Sequence, residues 1–121
     1  MITREEAING SKECLEELNL IMNLLNKYSY ALDIDNLNEL ITPEEFEALK
    51  NKEEFITDAN KTYSIVEKYK KEAKEAIEKQ KELLNYLENN YNGYSEYHHK
   101  LSKDILNFLY NIRDSGIFNF V

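Results

Sequence analysis

The sequence predicts an all-α protein, a bundle of three main helices with one additional short helix. Three glycines and one proline in 121 residues leave few places for sharp turns. Plentiful Leu, Glu, Lys and Ala favour helix over strand. Apolar residues recur at alternating spacings of three and four, which is typical of helices that bury one face. At this length we expect a single domain over residues 1–116, followed by an apolar tail at 117–121.

The first helix is predicted over residues 4–29. Thr3 and Glu6 stand at the spacing of a capping box, in which each side chain bonds the backbone N–H of the other. Small or apolar side chains then form one row along the helix, a pattern we call a seam: Ala7, Ser11, Cys14, Leu18, Ile21, Leu25 and Tyr28. In the second half of this helix only one stripe is polar, so we expect that half to lie at the centre of the core.

A connection is predicted over residues 30–41, where acids and amides compete with helix through local side-chain hydrogen bonds. Thr42-Pro43-Glu44-Glu45 then predicts a short helix over about 43–50, because Thr is a good N-cap and Pro fits the first helical position. The chain either pauses at Asn51 or continues through it as one helix; the sequence leaves both alternatives open.

A long third helix is predicted over residues 52–90. Its seam is Ala59, Thr62, Val66, Tyr69, Ala73, Ala76, Gln80, Leu83 and Leu87. At about 1.5 Å per residue this helix would span roughly 58 Å. That length exceeds the diameter of a compact domain of this size, so we expect the helix to kink, to protrude or to pack on a partner. Asn89-Asn90-Tyr91-Asn92-Gly93 predicts its end.

The last helix is predicted over residues 95–114, with Ser95 at its start and Ser115-Gly116 at its close. Its seam is Tyr94, His98, Leu101, Ile105, Phe108 and Ile112. The tail that follows, Ile117 to Val121, has three open interpretations: it folds back onto the bundle, it docks on a partner or second copy, or it is disordered.

No pattern of catalytic or metal-binding residues withstands inspection. Glu96 and His99 have the Glu-x-x-His spacing of helical di-iron sites, but the chain's two histidines are adjacent, so a second such pair cannot exist. Glutamate pairs such as Glu44-Glu45 lack the Glu-Glu-x-x-Glu and Glu-x-x-Asp strings with which helical nucleotide pyrophosphohydrolases hold magnesium. Cys14 is predicted to be a small buried hydrophobe. We therefore expect no enzyme, no metal and no cofactor.

Charge is divided unevenly along the chain. The first 58 residues carry 14 acids against 5 bases, and the remaining 63 carry 9 against 10. Residues 33–58 contain nine acidic residues and only two basic ones, Lys50 and Lys52. The nine are Asp33, Asp35, Glu39, Glu44, Glu45, Glu47, Glu53, Glu54 and Asp58. This acidic segment is either an ordinary solvated surface or a binding site for a basic surface on another protein.

Four tyrosines form a second candidate surface near the predicted turn before the last helix. They are Tyr86, Tyr91, Tyr94 and Tyr97. Packing of the helical hairpin accounts for about half of them, and the others could anchor a partner, since tyrosine is enriched at interfaces.

The sequence favours an acidic protein that binds and blocks a basic surface of a protein partner, as inhibitors, immunity proteins and phage anti-defence proteins do. The alternative is a structural, secretion or assembly adaptor that self-associates, as a homodimer for example, through its long helix and apolar tail. An acidic chain disfavours direct nucleic-acid binding. With neither a membrane-length apolar run nor a signal-peptide pattern, we expect no membrane contact and a cytoplasmic location.

Overall fold

The computed structural model describes residues 2–32, 42–47 and 52–117, with side chains at 2–30, 32, 42–45 and 60–117. These residues form four α-helices, one π-helical turn and no strand, so the predicted all-α bundle is confirmed. The helices are α1 (Arg4–Leu32), α2 (Pro43–Glu47), α3 (Lys52–Asn85) and α4 (Glu96–Asp114), with the π-helical turn at Tyr86–Asn90 between α3 and α4. None of them has the length and apolar character needed to cross a membrane.

The helix starts follow the local signals in the sequence. Thr3 Oγ1 accepts from the backbone N–H of Glu6 at 3.1 Å. At α2 the capping box is complete, because Thr42 Oγ1 accepts from Glu45 N at 3.1 Å and Glu45 Oε1 accepts from Thr42 N at 3.2 Å. Ser95 caps α4 by accepting from the backbone N–H of His98. Residues 33–41 and 48–51 lie outside the described residues, as does the question of continuity through Asn51.

The chain divides into two compact units. Unit 1 comprises residues 1–22 and 72–121, and unit 2 comprises residues 23–71. The three main helices pack in the order α1 on α3 and α3 on α4. The single domain over 1–116 predicted from chain length stays a prediction.

Unit 1 contains a core drawn from all three long helices. Its buried apolar residues are Leu18, Ala73, Ala76, Leu101, Ile105, Phe108, Ile112 and Ile117. Gln80 of α3 and Ser11 of α1 are buried polar residues that bond each other inside this core. At its edge, Lys79 Nζ lies 3.3 Å from Asp104 Oδ2 and pairs α3 with α4.

Unit 2 contains the last third of α1, the short helix α2 and the part of α3 up to Lys71. Leu25 and Val66 are fully buried there. Ser29 is also buried, and its hydroxyl donates to Glu67 Oε1 at 2.5 Å. Helix α1 extends to Leu32, three residues past the predicted end at residue 29.

The chain turns sharply after α4. Gly116 has a φ of 69°, a left-handed conformation that glycine adopts without steric cost. Ile117 follows it and is only 8% exposed, so the first residue of the predicted tail packs in unit 1. Residues 118–121 lie outside the described residues, and the three interpretations of the tail remain open for them.

Candidate functional site

The structure brings the four predicted tyrosines together in unit 1, between the end of α3 and the start of α4. We call this group the aromatic cluster; its members are Tyr86, Tyr91, Tyr94, Tyr97, His98 and His99. Two irregular stretches of backbone position it. The π-helical turn carries Tyr86, and Gly93, with a φ of 85°, reverses the chain before α4.

Tyr86 and His98 form the inner part of the aromatic cluster. Their rings stack with centroids 3.7 Å apart and planes 12° apart. The Tyr86 hydroxyl donates to the backbone oxygen of Gly93, and His98 Nδ1 lies 2.8 Å from Ser95 Oγ. Both residues are half-buried. They hold the connection between α3 and α4 in place, so their role is structural.

The other tyrosines form the outer part and face solvent. Tyr91 is 49% exposed, Tyr94 78% and Tyr97 56%. The Tyr97 hydroxyl donates to Glu82 Oε1 at 2.7 Å, and this bond to a carboxylate raises the pKa of Tyr97 above its usual value. A phenol that stays protonated and a largely uncovered Tyr94 make this part of the cluster suitable for contact with another molecule.

Arg4 contributes a contact that sequence reasoning missed. Its Nε donates to the backbone oxygen of Leu87 at 2.8 Å, and a terminal guanidinium nitrogen donates to that of Glu88 at 2.7 Å. The guanidinium also lies 6.0 Å from the centroid of the Tyr91 ring. One sequence signal could have indicated this role. The dipole of α1 disfavours a cation in the first turn of that helix, whereas carbonyl groups at the end of another helix would stabilise the cation.

The acidic segment is described only in part. Asp33, Asp35 and Glu39 lie outside the described residues. The structure describes the helical backbone at the next positions, but not their side chains: Glu47 in α2, and Glu53, Glu54 and Asp58 in α3. Whether the nine acids share one face therefore stays a prediction.

Glu44 and Glu45 are the two acids of the segment whose side chains are described. Both are exposed at the start of α2. Glu45 uses its carboxylate to accept from the backbone N–H of Thr42, as a capping box requires. It therefore has a local structural role in addition to its charge, and only Glu44 remains as a described acid without that role.

The weaker chemical candidates are Glu96, His99 and Cys14. Glu96 and His99 are exposed in the first turn of α4, and within the described part of the chain no group of three or more His, Cys, Asp or Glu could hold a metal ion. Cys14 is half-buried rather than buried as the sequence predicted. Burial, and secondarily the charge of Glu17, raise the pKa of its thiol, which disfavours the reactive thiolate at neutral pH.

Comparison of the chain with protein-family models, curated proteins and solved structures gave no match.

Proposed function

We propose that this chain is a non-enzymatic binding protein that uses its acidic segment to occupy a basic surface of a protein partner. The observation that carries the proposal is the excess of nine acids over two bases within residues 33–58. The exposure of Glu44 and Glu45, whose side chains are described, supports it. An inhibitor, an immunity protein and a phage anti-defence protein would all act in this way.

Electrostatics favours such a role over a merely solvated surface. Charges of one sign along one segment accelerate encounter with an oppositely charged partner and exclude partners of the same sign. The rest of the chain is close to neutral, with nine acids and ten bases in residues 59–121. A basic partner would therefore be directed to the first half of the sequence.

The test is a charge reversal that spares the helix cap. The variant E44K/E53K/E54K leaves Glu45 in its capping box, and E75K/E78K/E88K makes the same change in charge at three exposed glutamates of residues 59–121. The partner is obtained by native pull-down with the unmodified chain and identified by mass spectrometry. We expect the first variant to lose about tenfold or more in affinity and the second to change it much less.

Salt provides the second arm of this test. Raising ionic strength from about 0.05 M to 0.3 M should weaken binding of the unmodified chain, because screening shortens the reach of exposed charges. Equal loss of affinity in both variants, with binding insensitive to salt, would contradict the proposal. Circular dichroism of each variant shows whether the helices are retained.

A self-associating adaptor is the second candidate. Ile65 of α3 is 44% exposed, and an apolar side chain uncovered on the long helix is what contact with a second copy would use. Because Ile117 is buried in unit 1, the matched deletion removes residues 118–121 only. Light scattering of the unmodified protein should show a dimer or a larger oligomer. Either the variant I65K or this deletion should weaken that association. A monomer at high concentration in all three proteins would exclude the adaptor.

A further inference from the structure

Unit 1 contains an apolar groove between α1 and α4, with α3 as its floor. Its volume is about 250 Å³, and none of the described residues that line it is charged. The residues that line it include Ala7, Gly10 and Cys14 of α1, Leu83 of α3, Leu87 of the π-helical turn and Leu106 of α4. Leu106 is 46% exposed although it borders apolar side chains. Three helices thus present a concave apolar surface of the kind that a fourth helix covers in a four-helix bundle.

The α1 side of this groove has an acidic rim. Past Gly10 and Cys14 the surface continues into a second hollow, which is bordered by Glu13, Glu16, Glu17 and Leu20. The three glutamates are exposed, and Leu20 is 58% exposed. Among the described residues, no lysine or arginine lines either hollow. The apolar surface is therefore flanked by negative charge on its α1 side, which selects a partner of the opposite sign.

Gly10 is the residue that points to an occupant. It lies within α1, where glycine disfavours helix relative to alanine. It is exposed, and a Cβ added there would meet no atom within 4 Å. Its φ is not in the left-handed region. Unit 1 thus offers no internal reason for glycine here, whereas close approach of another backbone is a common reason for one.

We propose that this groove binds an amphipathic helix of a partner protein that carries Lys or Arg along one flank. Residues 7 to 20 of α1 span about 20 Å, the length of a helix of roughly 13 residues. The apolar face of that helix would contact Leu83 and Leu106, its backbone would approach Gly10, and its cations would face Glu13 and Glu17. A second copy that presented its own α1 would bring like charges together. The proposal is independent of the acidic segment at residues 33–58.

The probe is a synthetic amphipathic peptide of about 18 residues, with Leu and Ala on one face and lysines along one flank of that face. Two control peptides carry Glu in place of Lys, or the same residues in scrambled order. The readout is alkylation by iodoacetamide at Cys14, the chain's one cysteine, followed by intact mass. A peptide in the groove covers this thiol. At ten times its Kd the lysine peptide should slow alkylation about tenfold, and the controls should not.

Two substitutions make the test specific for the groove. G10L fills the place that the partner backbone would occupy, and N19L adds the same side chain at an exposed position of α1 that lines neither hollow. Protection of Cys14 should be lost in G10L and retained in N19L. Each rate is normalised to the same variant without peptide, because substitutions near Cys14 alter its intrinsic reactivity. G10A, which introduces only a Cβ into open space, serves as the folding control for position 10.

Protection of Cys14 that persists in G10L, equal protection by the control peptides, or no protection by the lysine peptide at millimolar concentration would each overturn the proposal. Alkylation that slows as the chain's own concentration rises would show a second copy in the groove and would also overturn it. The variant E44K/E53K/E54K should retain protection. That result separates this groove from the acidic segment, so either idea can fail without the other.

Discussion

Gln80 of α3 donates from one amide nitrogen to two oxygens of Ser11 in α1, the hydroxyl and, at 3.3 Å, the backbone carbonyl. Both residues are buried, at 3% and 6% exposure. This polar link joins two helices through an apolar core, and within the described residues no buried side-chain nitrogen or oxygen lacks a hydrogen-bond partner. A satisfied buried amide fixes how two helices face each other, because a slip along the helix would leave it unpaired.

Replacing Gln80 by Leu should lower the free energy of unfolding by about 1–3 kcal/mol, because the buried Ser11 hydroxyl loses its donor. Adding S11A should recover part of this loss, since the polar group that needed a partner is then absent. Urea unfolding of the two single variants and the double variant measures the coupling. Strict additivity of the two losses would mean that the bond does not contribute to stability.

Stability should depend on pH through Ser29 and Glu67. The hydrogen bond from Ser29, then that from Lys70, lower the pKa of Glu67 from its usual 4.5. A carboxyl group whose pKa is lowered in the folded state stabilises the protein at pH values above its unfolded-state pKa. This contribution is lost as pH falls through its folded-state pKa. We therefore expect S29A to lower the free energy of unfolding by about 1 kcal/mol at pH 7. This is a small value for a hydrogen bond to a charged group, because the Glu67 side chain is 40% exposed.

The same S29A variant should differ less from the unmodified protein as pH falls through the lowered folded-state pKa of Glu67, below which this carboxyl group is protonated in both. Thermal unfolding between pH 7 and pH 3 measures this, provided the protein remains folded at the lower limit. The matched control is S29A in an E67Q background, because without the titrating group the cost of S29A should vary less with pH. A cost of S29A that is equal at both ends of the range would exclude the ionised bond.

Arg4 should stabilise the π-helical turn. Replacing it by Gln removes two charge-assisted hydrogen bonds to the carbonyls of Leu87 and Glu88, which we expect to cost about 1 kcal/mol because the site is exposed. Hydrogen exchange should accelerate in the segment 86–93. K12Q makes the same change in charge on an exposed position of α1 and should leave that segment unchanged. Equal exchange rates in the two variants would contradict the assigned role.

The aromatic cluster should separate into structural and exposed parts. Y86A removes the stack on His98 and the bond to Gly93, and we expect it to destabilise unit 1 by about 3 kcal/mol. Y94A should change stability by no more than about 0.5 kcal/mol, since Tyr94 is 78% exposed. Thermal unfolding checks both. If Tyr94 anchors a partner, Y94A should weaken partner binding without this loss of stability. A large loss of stability in Y94A would instead show that Tyr94 has a structural role.

Local sequence accounted for the helix starts and for most of the buried residues. Thr3, Thr42 and Ser95 act as caps because capping needs only residues three positions apart. On α4 the predicted seam gave the buried set Leu101, Ile105, Phe108 and Ile112, but it also included Tyr94, which precedes the helix and is 78% exposed. On α3 it included Val66, Ala73, Ala76 and Gln80, all of which are buried.

The departures from the sequence prediction arise from contacts between distant residues. The third helix was predicted over 52–90, with a kink, protrusion or a partner as alternatives; the α-helix is Lys52–Asn85, and the last predicted turn, Tyr86–Asn90, is π-helical. Arg4 binds two carbonyls of that turn from more than 80 positions away. Ser29 was not placed in the core, because a hydroxyl is normally exposed unless a partner such as Glu67 accepts from it. The tyrosines of the aromatic cluster looked alike in sequence, yet Tyr86 is held by the hairpin and Tyr94 is not.

The sequence by itself determined the helical class, the helix starts, the apolar faces and the concentration of acids in residues 33–58, because these depend on side chains within a few turns of one another. Only the tertiary structure decided that Gly10 faces open space beside an apolar groove, that Arg4 binds the π-helical turn after α3 and that Tyr94 is exposed. Those properties depend on which helix faces which, and that arrangement follows from packing between residues far apart in the chain, such as Ser11 and Gln80.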